Sequence, residues 1–273
     1  MTVEKLKFCV VMSVYYGDCY RYFYKAVNSL LGQTVVPHQI VIVVDGQVGN
    51  DLDDCIYKLS KIPIVDIVRI KNNVGSGSAK KLAISHTKYP LIAIMDSDDI
   101  SLPFRFEKQV QLFAKSDVDV VGGWISEFSD NRRDFHRVRR VPTSQERILK
   151  LAKWRNPINH VTLMFTKASY DKSGGYSNAR SCEDWELIVR MLKTGSNIQN
   201  IPEVLVQVRA GSNMIDRRQS MKHLSAEITL FVGFYRLRFI RFHGLIINIL
   251  VRIMFKLIPK WFVNYFYKKF LRS

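Results

Sequence analysis

Through the first 115 residues, short continuous apolar runs alternate with segments whose apolar residues recur at helical spacing. A strand buried on both faces reads as an unbroken apolar run, whereas a helix packed on one side repeats every three to four residues. On that basis the chain predicts a strand over 8–15 (FCVVMSVY), a helix over 20–31, and strands over 39–44 and 65–70. A helix over 78–86 and a strand over 91–95 follow, then a helix opened by Leu102-Pro103-Phe104-Arg105 and running to about Lys115. Further on, the pattern predicts strands over 118–125 and 204–208 and a helix over 185–192, with a charged loop over 130–140 and an apolar segment over 161–165. Strands that alternate with helices predict an α/β domain built on a parallel sheet.

The 273 residues suit one α/β domain with an appendage. Apolar content of 47% and charged content of 24% are those of an ordinary globular chain, but the net charge of +17 is not. It calls for an anionic partner: nucleic acid, nucleotide phosphates or an anionic membrane surface. From Arg236 to the end there are nine Lys or Arg residues and no Asp or Glu. Cys9, Cys19, Cys55 and Cys182 have no C-x-x-C spacing, so neither a zinc site nor a disulfide framework is expected. Lys5 and Lys7 precede an apolar run that is short, contains Ser13 and lacks a small-residue cleavage site, so it reads as a first strand and not a signal peptide.

Candidate chemistry gathers at the strand ends. Ser13 and Tyr15 close the first strand, Asp45 the second, and Asp96, Asp98 and Asp99 the strand over 91–95. In open α/β sheets ligands bind beyond the carboxyl ends of the strands, so the three ends predict one nucleotide crevice. Carboxylates crowded together repel unless a cation sits among them, and Mg²⁺ or Mn²⁺ takes one or two carboxylates plus substrate phosphates. The alternative is a solvated acidic loop that caps the next helix. Gly75-Ser76-Gly77 is either a phosphate-approaching turn or a plain turn. Gly174-Gly175-Tyr176 gives a tight turn, and Glu183 and Asp184 stand where a helix begins, as catalytic groups or as ordinary first-turn acids. His160 is an acceptor contact or a structural residue. Arg209, Arg217 and Arg218 lie on a basic loop that could close over a diphosphate or simply face solvent. The tail over 239–273 mixes aliphatic and aromatic residues with cations. Its longest uncharged run falls short of the about 20 residues a bilayer span needs, so it suits a segment lying in the headgroup region, or else a pair of helices packed on the domain.

In order and spacing, these residues resemble the family 2 glycosyltransferases of the GT-A fold, the type that builds bacterial O-antigen and exopolysaccharide. The likeness rests on S-V-Y at Ser13, V-D-G at Asp45, N-x-G-x-x-x-A-K ending at Lys80, D-S-D-D from Asp96, L-P-x-R ending at Arg105, G-G-Y and E-D-W. It implies a Rossmann-like nucleotide-binding sheet with a membrane-associating amphipathic helical tail. The catalytic domain would span 1–218, with a nucleotide-sugar half over 1–115 and an acceptor half over 116–218, followed by the basic tail over 219–273. Ser13, Tyr15 and Asp45 would hold uridine and Lys80 would face the diphosphate. Asp96 would contact the ribose side of the nucleotide and count, with Asp98, toward the metal shell of a D-x-D motif carrying Mn²⁺ or Mg²⁺. Asp184 would be the general base, and His160, Gly175, Glu183 and Trp185 would line the acceptor pocket. Many relatives carry a late His as a further metal ligand. Here that region reads Arg209-Ala210-Gly211, so Arg209, Arg217 and Arg218 are expected at the diphosphate instead.

The resulting expectation is an inverting UDP-sugar hexosyltransferase that acts on a lipid-linked saccharide at the cytoplasmic face of the bacterial inner membrane, with no nucleic-acid partner. A nucleotidyltransferase, or a non-enzymatic binder of anionic membranes or nucleic acid, are the alternatives.

Overall fold

A computed structural model describes residues 6–128, 137–177, 181–209 and 220–257. The first half runs β1 (Phe8–Tyr15), α1 (Tyr20–Leu31), β2 (Gln39–Asp45), α2 (Asn50–Leu59), β3 (Val65–Ile70), α3 (Ser76–Ser85) and β4 (Leu91–Ile94). After β5 (Ile100–Ser101) and α4 (Arg105–Lys115) come β6 (Val120–Phe128), β7 (Arg137–Arg139), α5 (Gln145–Ala152), a 3₁₀ turn at His160–Thr162 and β8 (Met164–Thr166). The described chain ends with α6 (Lys167–Lys172), α7 (Glu183–Lys193), β9 (Ile198–Arg209), α8 (Met221–Arg236) and α9 (Phe242–Leu257).

Strand order is β3-β2-β1-β4-β8-β6-β9-β5, with β7 on β6. The β3-β2-β1-β4 portion is parallel, as expected. The sheet as a whole is not: β8 runs antiparallel to both β4 and β6, and β5 antiparallel to β9. The apolar pattern marks which segments are strands but carries no signal for which strand lies beside which, so the three-residue β8 between β4 and β6 is invisible to it. All seven residues of β2 are buried because helices cover both faces of the sheet. Phe8, Val10, Met12, Ile40 and Ile42 face Phe23 and Phe106 on one side. Val11, Val41, Val43, Ile92 and Ile94 face Ala79, Ile188 and Trp185 on the other.

Several segments differ from the sequence expectation, β5, α5 and α6 among them, for which no element was expected. α2 occupies a stretch for which no element was expected, burying Leu52, Cys55, Ile56 and Leu59 at helical spacing among acidic residues. β9 extends well before residue 204, because Pro202 and Glu203 interrupt its apolar pattern where the pairing with β6 shifts register. The charged loop holds the short strand β7, and its residues 130–136 lie outside the described ones. At the C-terminus α8 and α9 pack on the domain through the indole of Trp185, whose ring lies 5.3 Å from Phe231 and 5.6 Å from Phe234. Among the described residues no helix is long and apolar enough to cross a membrane.

Candidate active site

The parallel pairing sets Tyr15 of β1 directly beside Asp45 of β2, so their strand ends open on one side of the sheet. Tyr15 is exposed and Ser13 half-buried. Asp45 is buried, and its carboxylate accepts from the backbone N–H groups of Val74 at 2.7 Å and Gly75 at 3.0 Å. The residue expected to read uracil thus also shapes the loop between β3 and α3. Gly75 permits that loop by adopting φ +89°. Between the β1 and β2 ends lies a cleft of about 370 Å³ lined by Tyr16, Asp18, Cys19, Tyr20, Asn50 and Asp51, among others.

One turn into α3, the Lys80 ammonium is buried and donates to Ser76 Oγ and Asp96 Oδ1, both at 2.8 Å. Burial alone would lower its pKa, but the Asp96 charge outweighs it and the value is raised. For Asp96, burial works upward, while Lys80, His160 and Arg105 together pull its carboxyl below the usual range. Asp99 is buried and accepts from the Arg209 backbone N–H at 2.9 Å. Burial, with Asp96 and Asp98 as like charges, holds its carboxyl well above the usual range. Beneath the loop the Arg105 guanidinium has no solvent exposure; it donates to Ile94 O at 2.8 Å and Gln109 Oε1 at 3.1 Å, and burial pushes its pKa down to about 9. Arg209 lies over the ring of Tyr22 at 3.6 Å and that of Phe128 at 4.6 Å, and its Nε donates to Asp98 O at 3.3 Å. It therefore braces the acidic loop. Arg217 and Arg218 lie outside the described residues.

Asp18 belongs to this cluster and was not singled out by sequence. Its carboxylate accepts from Tyr15 N at 3.0 Å and bonds the Ser97 side chain. Burial raises its pKa to about 6, with Asp98 and Asp96 adding to the shift. The only sequence signal was an acid three residues past a strand end.

The groups expected on the acceptor side lie on α7 and on the segment that leads into β8. α7 starts at Glu183 after Cys182, which takes a left-handed φ of +63°. The Asp184 carboxylate accepts from Asn156 Nδ2 at 2.8 Å, and Asn156 Oδ1 accepts from Ile158 N at 3.1 Å, which orients the amide. Burial, then the Asp184 charge, raises the Glu183 pKa. His160 Nε2 meets the Tyr176 hydroxyl at 3.0 Å. Glu183 and Asp184 act electrostatically on Lys80, and His160 acts on Asp96. Residues expected in the donor and acceptor roles therefore influence one another's charge. Two do not line the site. Trp185 is buried, donates Nε1–H to Ala152 O at 2.9 Å and seats α8, while the half-buried Asp184 points about 100° away around the helix. Gly175 is buried under the Tyr170 ring with φ +65°, and its carbonyl accepts from Arg190, so it serves the turn.

An α/β sheet with an acidic crevice at its parallel strand ends, faced by a second carboxylate pair, is a GT-A-like fold. The chain belongs to Glycosyl transferase family 2, whose sequence profile matches residues 9–175. It is 33% identical, over 100% of this chain and 99% of the relative, to the UDP-Gal:alpha-D-GlcNAc-diphosphoundecaprenol beta-1,3-galactosyltransferase of Escherichia coli. It is 31% identical to the amylovoran biosynthesis glycosyltransferase AmsE of Erwinia amylovora, over 96% and 98% of the two chains. Its fold resembles the crystal structure of S. aureus TarS 1-349 in complex with UDP-GlcNAc, with a TM-score of 0.69 and 16% identity, covering 90% of this chain and 72% of that one.

Proposed function

We propose that this glycosyltransferase moves a hexose from a UDP-sugar to a hydroxyl of a lipid-diphosphate-linked saccharide, with inversion, in the synthesis of bacterial surface polysaccharide such as O-antigen or capsule. The observation that supports the reading is the buried ion pair of Lys80 with Asp96 at 2.8 Å, on which the charges of Glu183 and Asp184 also act. Asp184 would then be the base, and Lys80 would face the leaving diphosphate. The Escherichia coli relative, named for a UDP-Gal donor, a diphosphoundecaprenol-linked acceptor and a β-linkage, supports the same reaction class.

In this mechanism Asp184, held by Asn156, takes the proton from the acceptor hydroxyl as its oxygen bonds the anomeric carbon. The bond from that carbon to the UDP β-phosphate oxygen breaks and its electron pair leaves on UDP, so an α-linked donor yields a β-linkage. Lys80 supplies positive charge beside the diphosphate without needing to reorganise, since Ser76 and Asp96 already fix it. Ser13, Tyr15 and Asp45 line the uridine side, and His160 and Glu183 the acceptor side. Among the described residues no group of three or more His, Cys, Asp or Glu forms a ready metal cage. The oxygen donors Asp98 and Asp96, two residues apart just past β4, would nevertheless suit Mn²⁺ or Mg²⁺ completed by substrate phosphates, with the buried Asp99 adjoining them. Such an ion would neutralise charge on the departing diphosphate. The catalytic domain then spans 1–218, with donor and acceptor halves over 1–115 and 116–218. The tail over 219–273 keeps the enzyme peripheral at the cytoplasmic face of the inner membrane.

A screen of UDP-sugars for UDP release, with Mn²⁺ or Mg²⁺ and again with EDTA, tests this. Metal-dependent release from one donor is expected, as is loss of transfer in Asp184→Asn with donor binding retained. Absence of turnover together with absence of UDP binding by calorimetry overturns the reading, and transfer by Asp184→Asn overturns the base assignment.

A further inference from the structure

Much of the inward face of α9 is polar. Beside the buried Leu245 and the core-packed Ile249, it presents Asn248, Arg252 and Lys256 toward the protein, four residues apart. The Asn248 amide donates to Lys153 O at 3.1 Å, and Arg252 Nη2 donates to Trp154 O at 2.6 Å. Arg252 Nε also pairs with Glu227 at 3.5 Å, and Lys256 Nζ donates to Ser220 O at 3.1 Å. The opposite face repeats Ile246, Ile247, Leu250, Ile253 and Met254 at intervals of three and four, all exposed; Leu250 is 54% and Met254 62% accessible. A helix packed on a domain in water has the reverse polarity. The inward hydrogen bonds fix its rotation, so the aliphatic stripe cannot roll into the core.

The surroundings say what covers that stripe. Arg236, Arg238 and Arg241 are exposed at the turn between α8 and α9, and Glu227 is the last acidic residue of the chain. Trp154, whose backbone carbonyl accepts from Arg252, is 45% exposed. An apolar stripe with a cationic flank and an amphipathic ring matches the boundary between phosphate headgroups and acyl chains. A second copy of the chain would set the same cations against each other with no acidic residue after Glu227 to offset them.

We propose that the outward face of α9 lies in the surface of an anionic phospholipid bilayer, with Ile246, Ile247, Leu250, Ile253 and Met254 among the acyl chains and Arg236, Arg238 and Arg241 on the headgroup phosphates. This deepens the peripheral-membrane part of the proposed function but rests on α9 and its flank, not on the transfer reaction.

The test is co-sedimentation of the full chain with vesicles of phosphatidylglycerol and phosphatidylethanolamine, and with vesicles of phosphatidylcholine alone. The wild type partitions to the anionic vesicles. Ile246→Asp with Leu250→Asp weakens that partition by roughly thirtyfold or more, since two aliphatic side chains no longer leave water. Both side chains already face solvent, so the thermal midpoint holds. If this variant nonetheless unfolds, Arg238→Glu with Arg241→Glu decides, and it should lower both the binding and its salt sensitivity. Tyr57→Glu, removing an exposed ring on α2, leaves binding unchanged. Wild type that ignores anionic vesicles, variants that bind undiminished, or a wild-type dimer dissolved by the same aspartates in light scattering each overturn the proposal. UDP binding, measured separately, distinguishes the two readings: vesicle binding without UDP binding refutes the transfer reading and leaves this one.

Discussion

Asn156 offers a sharp test of the base, because it is the residue that holds Asp184. Replacing it with Ala deletes a hydrogen bond to a charged acceptor, worth about 1.5–3 kcal/mol. If the bond acts in the transition state, kcat falls roughly ten- to a hundredfold while KM for the donor is unchanged. Replacing it with Asp does something different. The present contact of 2.8 Å becomes one between two carboxylates. At about 4 Å and an effective dielectric constant near 20 their repulsion is about 4 kcal/mol. Solvent at the half-exposed site cuts this, leaving an upward displacement of roughly one to two pH units for the proton that must leave before the base can act. The assay is the pH dependence of kcat at saturating donor, read by UDP release in single turnovers. Asn156→Asp should lose activity on the acid side of the profile and recover it as pH rises, whereas Asn156→Ala should be depressed at every pH. An acid limb in Asn156→Asp that coincides with wild type refutes the reasoning. So does Glu183→Gln abolishing transfer while Asp184→Asn retains it.

Three other outcomes follow from the same coordinates. Trp185→Ala should destabilise the fold by about 3–5 kcal/mol by unseating α8, without changing acceptor KM in the protein that remains folded; an acceptor KM effect at full stability would return Trp185 to the pocket. Asp18 holds its proton up to about pH 6 in the folded chain, above the ordinary value near 4, so its stabilising contribution is complete in acid and is lost as pH rises through 6. The thermal midpoint of wild type should therefore drop relative to Asp18→Asn across that window, and parallel curves would refute it. Gly175→Ala sets a methyl group 2.6 Å from the Tyr170 ring at φ +65°, which should cost roughly 2–4 kcal/mol in urea unfolding.

The parallel half was legible because its signal is periodic: β1, β2, β3 and α1 lie where apolar spacing puts them. The mixed order around β8 was not, since neighbour choice is set by long-range packing. The same division runs through the site. Asp45, Asp96, Asp98 and Asp184 were legible as carboxylates at strand and helix ends, where ligands bind in such sheets. Asp18 was not, because only the folded β1–α1 loop carries it to Ser97. Trp185 misled by adjacency: it follows Asp184 in sequence, but the helical turn sends its side chain the other way. Arg105 was read as part of a helix-opening motif, and only burial reveals it as a cation beneath the acidic loop.

The contacts of Trp185 also make the molecule a ruler. Arg252 of α9 lies 4.6 Å from the Phe231 ring, Phe231 packs on Trp185, and one peptide bond separates Trp185 from Asp184. No loop intervenes in that series. With α9 resting on a bilayer as proposed, Asp184 would stand at a set height above it. A lipid-linked saccharide would then be accepted according to how far its terminal hydroxyl rises from the membrane as well as by its shape. Selection by chain length, one sugar too few or too many, would require no additional contact with the sugars themselves.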